Sequence, residues 1–388
     1  MTQSALPRIV GIDLARSLAI FLAMTSHVLS VCHSSTFVSD ASLDLLRPLL
    51  HAATPTFIVL FGSMLSIVYL PRFCDQPQEI TARLISRAMQ CYLLYALSVV
   101  VLYITDPEYS FFFSISTVML LGVTPFTDIL KFYAVALLAS PLLLSAARRY
   151  GSAPLLAFSI LVHLFFPAIE RLGEEVGGKL PLPVGRLAMF LFGVGDFGLA
   201  GPSVLHGLTL VIFGMALSRW LISSKVRHLW GVLAAATALL VGVIAIAGTP
   251  AFLHDAMALR RANDPTYFVI GLASACMMAC SAVLATRGPH AHEHWAKLTF
   301  FGRTSLFTFA FGNMLLYCVT VDPQTQKQAL VLVVALTASI MLLSFTFDRA
   351  VSHKGSTARA VTRLRQFLDR LCANAVQRIS RAWAQPHG

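Results

Sequence analysis

The chain has 388 residues, 57% of them hydrophobic and only 12% charged, with a formal net charge of +11. A soluble domain carries about 25% charged residues, so this composition excludes an ordinary water-soluble protein and predicts a membrane protein with several spans. Much of the basic excess lies in the C-terminal tail, which in such a protein argues for a cytoplasmic face and against a nucleic-acid partner. Seven cysteines, odd in number and scattered, imply no disulfide framework. Cys276 and Cys280, one turn apart in an apolar run, read as small packing residues.

The first apolar run covers 9–31 and reads IVGIDLARSLAIFLAMTSHVLSV. It is too long for a signal-peptide core and lacks a small-residue cleavage site, so a retained anchor is expected. It crosses a bilayer comfortably, since ~20 apolar residues cover ~30 Å. Yet it holds Asp13, Arg16 and His27, and ionisable groups at membrane depth usually mark a pathway or a site. Eleven steps at ~100° return to within ~20° of the start, which puts Arg16 and His27 on one face, ~16 Å apart along the axis. Asp13, three residues before Arg16, falls near the same face and is within pairing range of the guanidinium.

Further apolar runs predict helices at 51–71, 84–104, 129–147, 152–168, 203–222, 230–248, 266–286, 299–319 and 328–347. The stretch 111–124, FFFSISTVMLLGVT, is too short to span and reads as a half-helix, a re-entrant piece or the start of the fourth helix. Residues 184–200 are equally ambiguous. The fold class expected is all-α: a polytopic transmembrane helix bundle of about ten spans. Counting Lys and Arg places both termini on the cytoplasmic side. The loops then inside carry Arg72, Arg83, Arg87, Arg148, Arg149, Arg219, Lys225, Arg227, Arg287 and Lys297, whereas Asp106, Glu108, Glu170 and Glu175 fall outside. Lys179, Arg186, Arg260 and Arg261 run against the trend.

Residues 1–347 read as the membrane domain and 348–388 as a basic tail. In the tail Val361, Leu364, Phe367, Leu368 and Leu371 recur at helical spacing between arginines, the pattern of an amphipathic helix lying on an anionic leaflet. The stretch PHAHEHW offers His290, His292, Glu293 and His294, but without helical H-E-x-x-H spacing or a cysteine partner a solvated loop is expected and no metal site. His206 and Asp196 are secondary polar candidates, with capping or packing the simpler roles. No Walker A loop, dinucleotide-binding glycine pattern or internal repeat is visible.

The pattern R-x-x-G-I-D-x-x-R-x10-H, formed by Arg8, Gly11, Ile12, Asp13, Arg16 and His27, resembles the acyltransferase-3 family of integral-membrane O-acyltransferases. Three more segments resemble it: ATPTFIVLFGSML at 53–65, the arginine pair Arg83 and Arg87 at the start of the third helix, and FGRTSLFTFAFGNMLL at 301–316. The last is closest to the branch that succinylates periplasmic glucans. The chain departs from many members at Phe61–Gly62, where they have Ser-Gly, and at Gly312–Asn313, where they have a histidine. The resemblance implies transfer of an acetyl or succinyl group from cytoplasmic acyl-CoA to a hydroxyl of an envelope carbohydrate, in a bacterial inner membrane. No permanently bound cofactor is implied; acyl-CoA, the envelope glycan and membrane lipid are the partners.

Acyl transfer to an alcohol needs a base, a donor to the oxyanion and cations for the coenzyme A phosphates. Neutral imidazole suits the first task, which assigns His27 as general base or, alternatively, as covalent acyl carrier. Arg16 would contact the donor or hold charge, oriented by Asp13. Arg83 and Arg87, four residues apart, would clamp phosphate. Ser26 and Ser30 offer hydroxyls near His27. Intramembrane charge alone also fits a transporter or flippase whose first helix lines the substrate path, and the basic tail alone fits a non-catalytic assembly subunit.

Overall fold

The computed structural model describes residues 9–37, 40–177, 179–196, 198–199, 201–223, 225–248, 256–288, 294–295, 297–352 and 356–384. Helix α1 is Val10–Val31, and a short 3-10 turn leads to α2 (Asp40–His51), α3 (Ala53–Met64), a π-helical turn (Leu65–Tyr69) and α4 (Leu70–Asp75). From Leu46, within α2, to Asp75 these last four elements form one apolar stretch. Then come α5 (Pro77–Thr105), α6 (Phe111–Val118), α7 (Asp128–Tyr150), α8 (Ser152–Leu164), α9 (Phe166–Gly177) and α10 (Leu182–Phe192). The remainder is α11 (Val204–Leu221), α12 (Val226–Ala247), α13 (Ala256–Ala262), α14 (Pro265–Ala285), α15 (Phe300–Arg303), α16 (Ser305–Tyr317), α17 (Gln326–Ser352) and α18 (Ser356–Ala384).

Among the described residues eight helices are long and apolar enough to cross a membrane, and a ninth is formed if α8 and α9, bent by 51°, count as one span. The predicted run 299–319 is instead broken. Thr304 separates the single turn of α15 from α16, whose 13 residues fall short of a bilayer. The break lies where α15 presses on α1: a methyl group on Gly302 would sit 2.3 Å from the Asp13 carbonyl, and the Gly302 N–H is taken by Ser17 Oγ at 2.8 Å. The uncertain stretch 111–124 resolves into the two-turn helix α6 followed by irregular backbone that leads into α7. Non-helical backbone is tolerated at such a depth only where protein surrounds it.

Between membrane helices, apolar burial gives little advantage over lipid, so close backbone packing and polar ties hold the bundle. Helix α11 is the most enclosed span, whereas α12 and α17 turn most of their surface outward. α11 crosses α3 in parallel, with glycines at the crossing. A methyl on Gly62 would come within 1.9 Å of the Val211 carbonyl, and one on Gly214 within 2.0 Å of the Val59 carbonyl. Ser63 donates to the Gly214 carbonyl at 2.9 Å and Ser218 to Ser66 at 2.9 Å. Gly62, in the segment that departs from the family pattern at Phe61, is therefore required by packing. The tail helix α18 packs along the first turns of α5, where Ser86 donates to Asp369 at 2.6 Å and Cys372 is buried.

Candidate active site

Helix α1 carries Arg16 and His27 on one face, and both side chains are half-buried against the late helix pair α15–α16. At the His27 end the partner is Asn313 of α16, whose Oδ1 lies 2.7 Å from His27 Nδ1. The Asn313 amide has no freedom to turn: its Nδ2 donates to the Phe309 carbonyl one turn earlier at 2.7 Å. Oδ1 must therefore accept, so Nδ1 of a neutral His27 carries the hydrogen and Nε2 keeps its lone pair. The ring is further fixed by Phe126, stacked on it at 4.7 Å, and by the edge of Phe309 at 5.7 Å. Phe126 in turn stacks on Tyr317 at 5.6 Å and donates its N–H to the Tyr317 hydroxyl at 3.1 Å. His27 bonds to Asn313 and not to Ser26 or Ser30.

At the other end of the same face, Arg16 donates to Ser305 Oγ at 2.7 Å, at the start of α16. One helix thus faces both candidate positions of α1: Ser305 opposite Arg16 and Asn313 opposite His27. Asp13 lies beside the Gly302–Arg303 turn, with its backbone carbonyl against Gly302. Arg303 makes a forked pair with Asp348 of α17, Nε to Oδ1 at 2.9 Å and Nη2 to Oδ2 at 2.5 Å. That pair ties α15 to α17 and gives Arg303 a structural role.

Arg83 and Arg87 lie on one face of α5 but have different surroundings. Arg83 is exposed and pairs with Glu79 at 2.5 Å, while Arg87 is half-buried and donates to Gln90 at 3.1 Å. Their level in the bundle follows from Ser98, further along α5, which bonds to Thr127 at 2.7 Å beside Phe126 and hence near His27. Arg87 precedes Ser98 by eleven residues, ~16 Å of helix, the same axial distance that separates Arg16 from His27. Arg16 and Arg87 therefore share a level, about three helical turns away from the imidazole.

Ser203 caps α11: its Oγ accepts from the backbone N–H of the buried His206 at 3.3 Å, and the same hydroxyl lies 2.8 Å from His206 Nδ1. Asp196 accepts from the Gly198 N–H at 3.2 Å in an exposed turn. His290, His292 and Glu293 lie outside the described residues. Among the described residues no group of three or more His, Cys, Asp or Glu is placed to hold a metal ion.

Three members of the His27 site were not reached from the sequence. Asn313 carried a signal, an amide in an otherwise apolar helix, at a position already noted as a departure from the family pattern. Phe126 and Tyr317 carried none, because a loop aromatic and a helix-end tyrosine are too common to single out.

No curated protein and no solved structure matches this chain. Residues 9–349, nearly its whole length and including α1, α5, α15 and α16, match the family described as an acyltransferase domain, so the chain belongs to the acyltransferase-3 family and is a multi-pass membrane acyltransferase.

Proposed function

We propose that this acyltransferase moves an acetyl or succinyl group from cytoplasmic acyl-CoA to a hydroxyl of a cell-envelope carbohydrate, in a bacterial inner membrane with both termini cytoplasmic. The observation that carries this reading is the fixed tautomer of His27, whose Nε2 lone pair is kept available by the Nδ1–Asn313 bond of 2.7 Å. A neutral imidazole so held presents a lone pair that can take the proton of an alcohol attacking a thioester.

In the reaction, Nε2 takes the hydroxyl proton of the sugar as its oxygen attacks the thioester carbonyl. The tetrahedral intermediate collapses, the carbon–sulfur bond breaks, and the proton on Nε2 passes to the departing coenzyme A sulfur. Asn313 holds the imidazole in place and stabilises the imidazolium through the Nδ1–H bond, as an orienting acceptor does in other base-assisted acyl transfers. Arg87, with Arg83 beside it, binds the coenzyme A phosphates, and Arg16 supplies positive charge along the path between phosphates and thioester. Asp13 sets the field at the level of Arg16. The ~16 Å between the arginine level and His27 is then spanned by the extended arm of the donor.

The test is mass spectrometry of ester-linked acyl groups on envelope glycans. Cells lacking the protein are complemented with wild type or with His27→Ala at equal membrane levels. An acyl ester present with wild type and missing with the variant is expected, and its mass identifies the group. Equal acylation in all three strains would remove the proposal.

A further inference from the structure

The irregular backbone between α6 and α7 is secured by side chains from α5, from α7 and from the loop between α5 and α6. Tyr95 donates to the Thr117 carbonyl at 3.2 Å and Tyr92 to the Val118 carbonyl at 3.2 Å. Lys131 Nζ donates to the Gly122 carbonyl at 2.8 Å, and Tyr109 to the Val123 carbonyl at 3.1 Å. Asp128 Oδ1 accepts both from the Thr124 N–H at 2.9 Å and from the Thr124 hydroxyl at 3.0 Å. The turn it closes is tight. Leu120 sits at φ 67, a left-handed conformation disfavoured for a side chain with a Cβ, and a methyl on Gly122 would be 2.1 Å from Thr117 Oγ1.

Lys131 and Asp128 are the costly members of this set. Both are buried, and Nζ lies 3.6 Å from Oδ1. The ammonium also lies 4.8 Å from the ring centroid of Phe190 and 6.0 Å from that of Tyr95. Burying two charges seldom adds net stability compared with apolar residues of the same volume, so stability alone does not account for the pair. What the loop delivers is Phe126, two residues before Asp128, inserted between His27 and Tyr317.

We propose that Lys131 and Asp128 are positioning residues for His27: they clamp the 119–127 turn so that Phe126 covers one face of the imidazole and confines Nε2 to the angle at which it meets the acceptor hydroxyl. The inference rests on His27 being the base. Phe126 also excludes water from that face of the ring, so loosening the turn both misaligns Nε2 and wets it. A displacement of about 1 Å in a reacting group can cost ~100-fold in rate. The charged pair thus acts at a distance, through backbone carbonyls and one aromatic ring.

The experiment measures how fast diethylpyrocarbonate modifies His27 in the purified full-length protein, with exposed His33 as an internal reference, beside kcat and KM for acyl-CoA. Phe126→Ala calibrates the uncovered ring. Lys131→Met is expected to raise His27 modification towards the Phe126→Ala rate and to lower kcat about tenfold. KM for acyl-CoA and His33 labelling should stay constant, and Lys131→Arg should restore most of the shielding. If Lys131→Met does not fold, the Asp128→Asn/Lys131→Met double variant, which removes both charges together, is judged by the same two readouts. A folded variant with wild-type shielding and wild-type kcat overturns the inference, as does a Phe126→Ala protein whose His27 is no more reactive. The labelling rate does not depend on His27 being the base. If His27→Ala retains transfer, the proposed function fails while the shielding data still report on the clamp.

Discussion

His27 and His206 are both imidazoles in apolar helices towards the same end of the bundle, and they differ as a proposed base differs from a strut. His206 is buried, serves the first turn of α11 through Ser203, and leaves Nε2 facing packed protein with no hydrogen-bond partner. His27 is half-buried, has one nitrogen committed to a side chain 286 residues away, and keeps the other free of such a tie. Burial and a local bond to the cap residue hold His206 in place. A long-range acceptor that selects the tautomer, on a residue that is not fully enclosed, is the arrangement a base needs.

The largest expected effect tests the site side of that contrast. His27→Ala should lower kcat by about 10²–10⁴-fold, the usual contribution of a positioned base, with the protein still folded and KM for acyl-CoA little changed. Next comes the acceptor that selects the tautomer. Asn313→Leu should lower kcat roughly tenfold to a hundredfold, whereas Asn313→Asp, which still accepts from Nδ1–H, should retain most of the rate. Steady-state kinetics on the two variants decide whether the Asn313 bond is functional or merely a helix–helix tie. Equal losses in both would make it the latter.

The helical class, most of the spans and the shared face of Arg16 and His27 were legible because they depend on residues close in sequence: apolar runs of bilayer length, and a spacing that is three turns of one helix. The flanks of the site were not. Asn313 and Ser305 reach α1 across some 286–289 residues, and no spacing rule connects positions so far apart. The break at Thr304 was hidden for the same reason, since it lies beside the contact that Gly302 of α15 makes with Asp13 and Ser17 of α1, some 285 residues away. The Asp128–Lys131 pair did leave a mark, two opposite charges three residues apart at the start of an apolar helix. It went unread because the loop it clamps has no pattern.

The comparison extends to the arginines. Arg87, half-buried at the level of Arg16, should matter more to donor binding than Arg83, which is exposed and already pairs with Glu79. Arg87→Ala is expected to raise KM for acyl-CoA about tenfold at nearly constant kcat, the loss of one charge-assisted phosphate contact of ~1.4 kcal/mol. Arg83→Ala should raise it only about threefold, because an exposed cation is screened. A common effect of both on kcat and none on KM would place the donor elsewhere.

The smallest effect on activity belongs to His206, and it tests the strut side of the contrast. His206→Ala removes a buried ring packed among His163, Phe166 and Phe268, and leaves Ser203 without the Nδ1 contact at 2.8 Å. The Ser203 hydroxyl still accepts the backbone N–H of residue 206, so the helix cap survives. The loss is therefore mostly packing and one hydrogen bond, about 2–4 kcal/mol for a buried aromatic-sized truncation. Thermal unfolding in detergent should show a clear drop in Tm, while acyl transfer per folded molecule stays within about twofold of wild type, the expectation for a residue outside the reacting shell. If transfer instead falls by the factor seen for His27→Ala while Tm is unchanged, the two histidines work in one pathway, and the buried Nε2 of His206 has to be counted among the groups that move the proton.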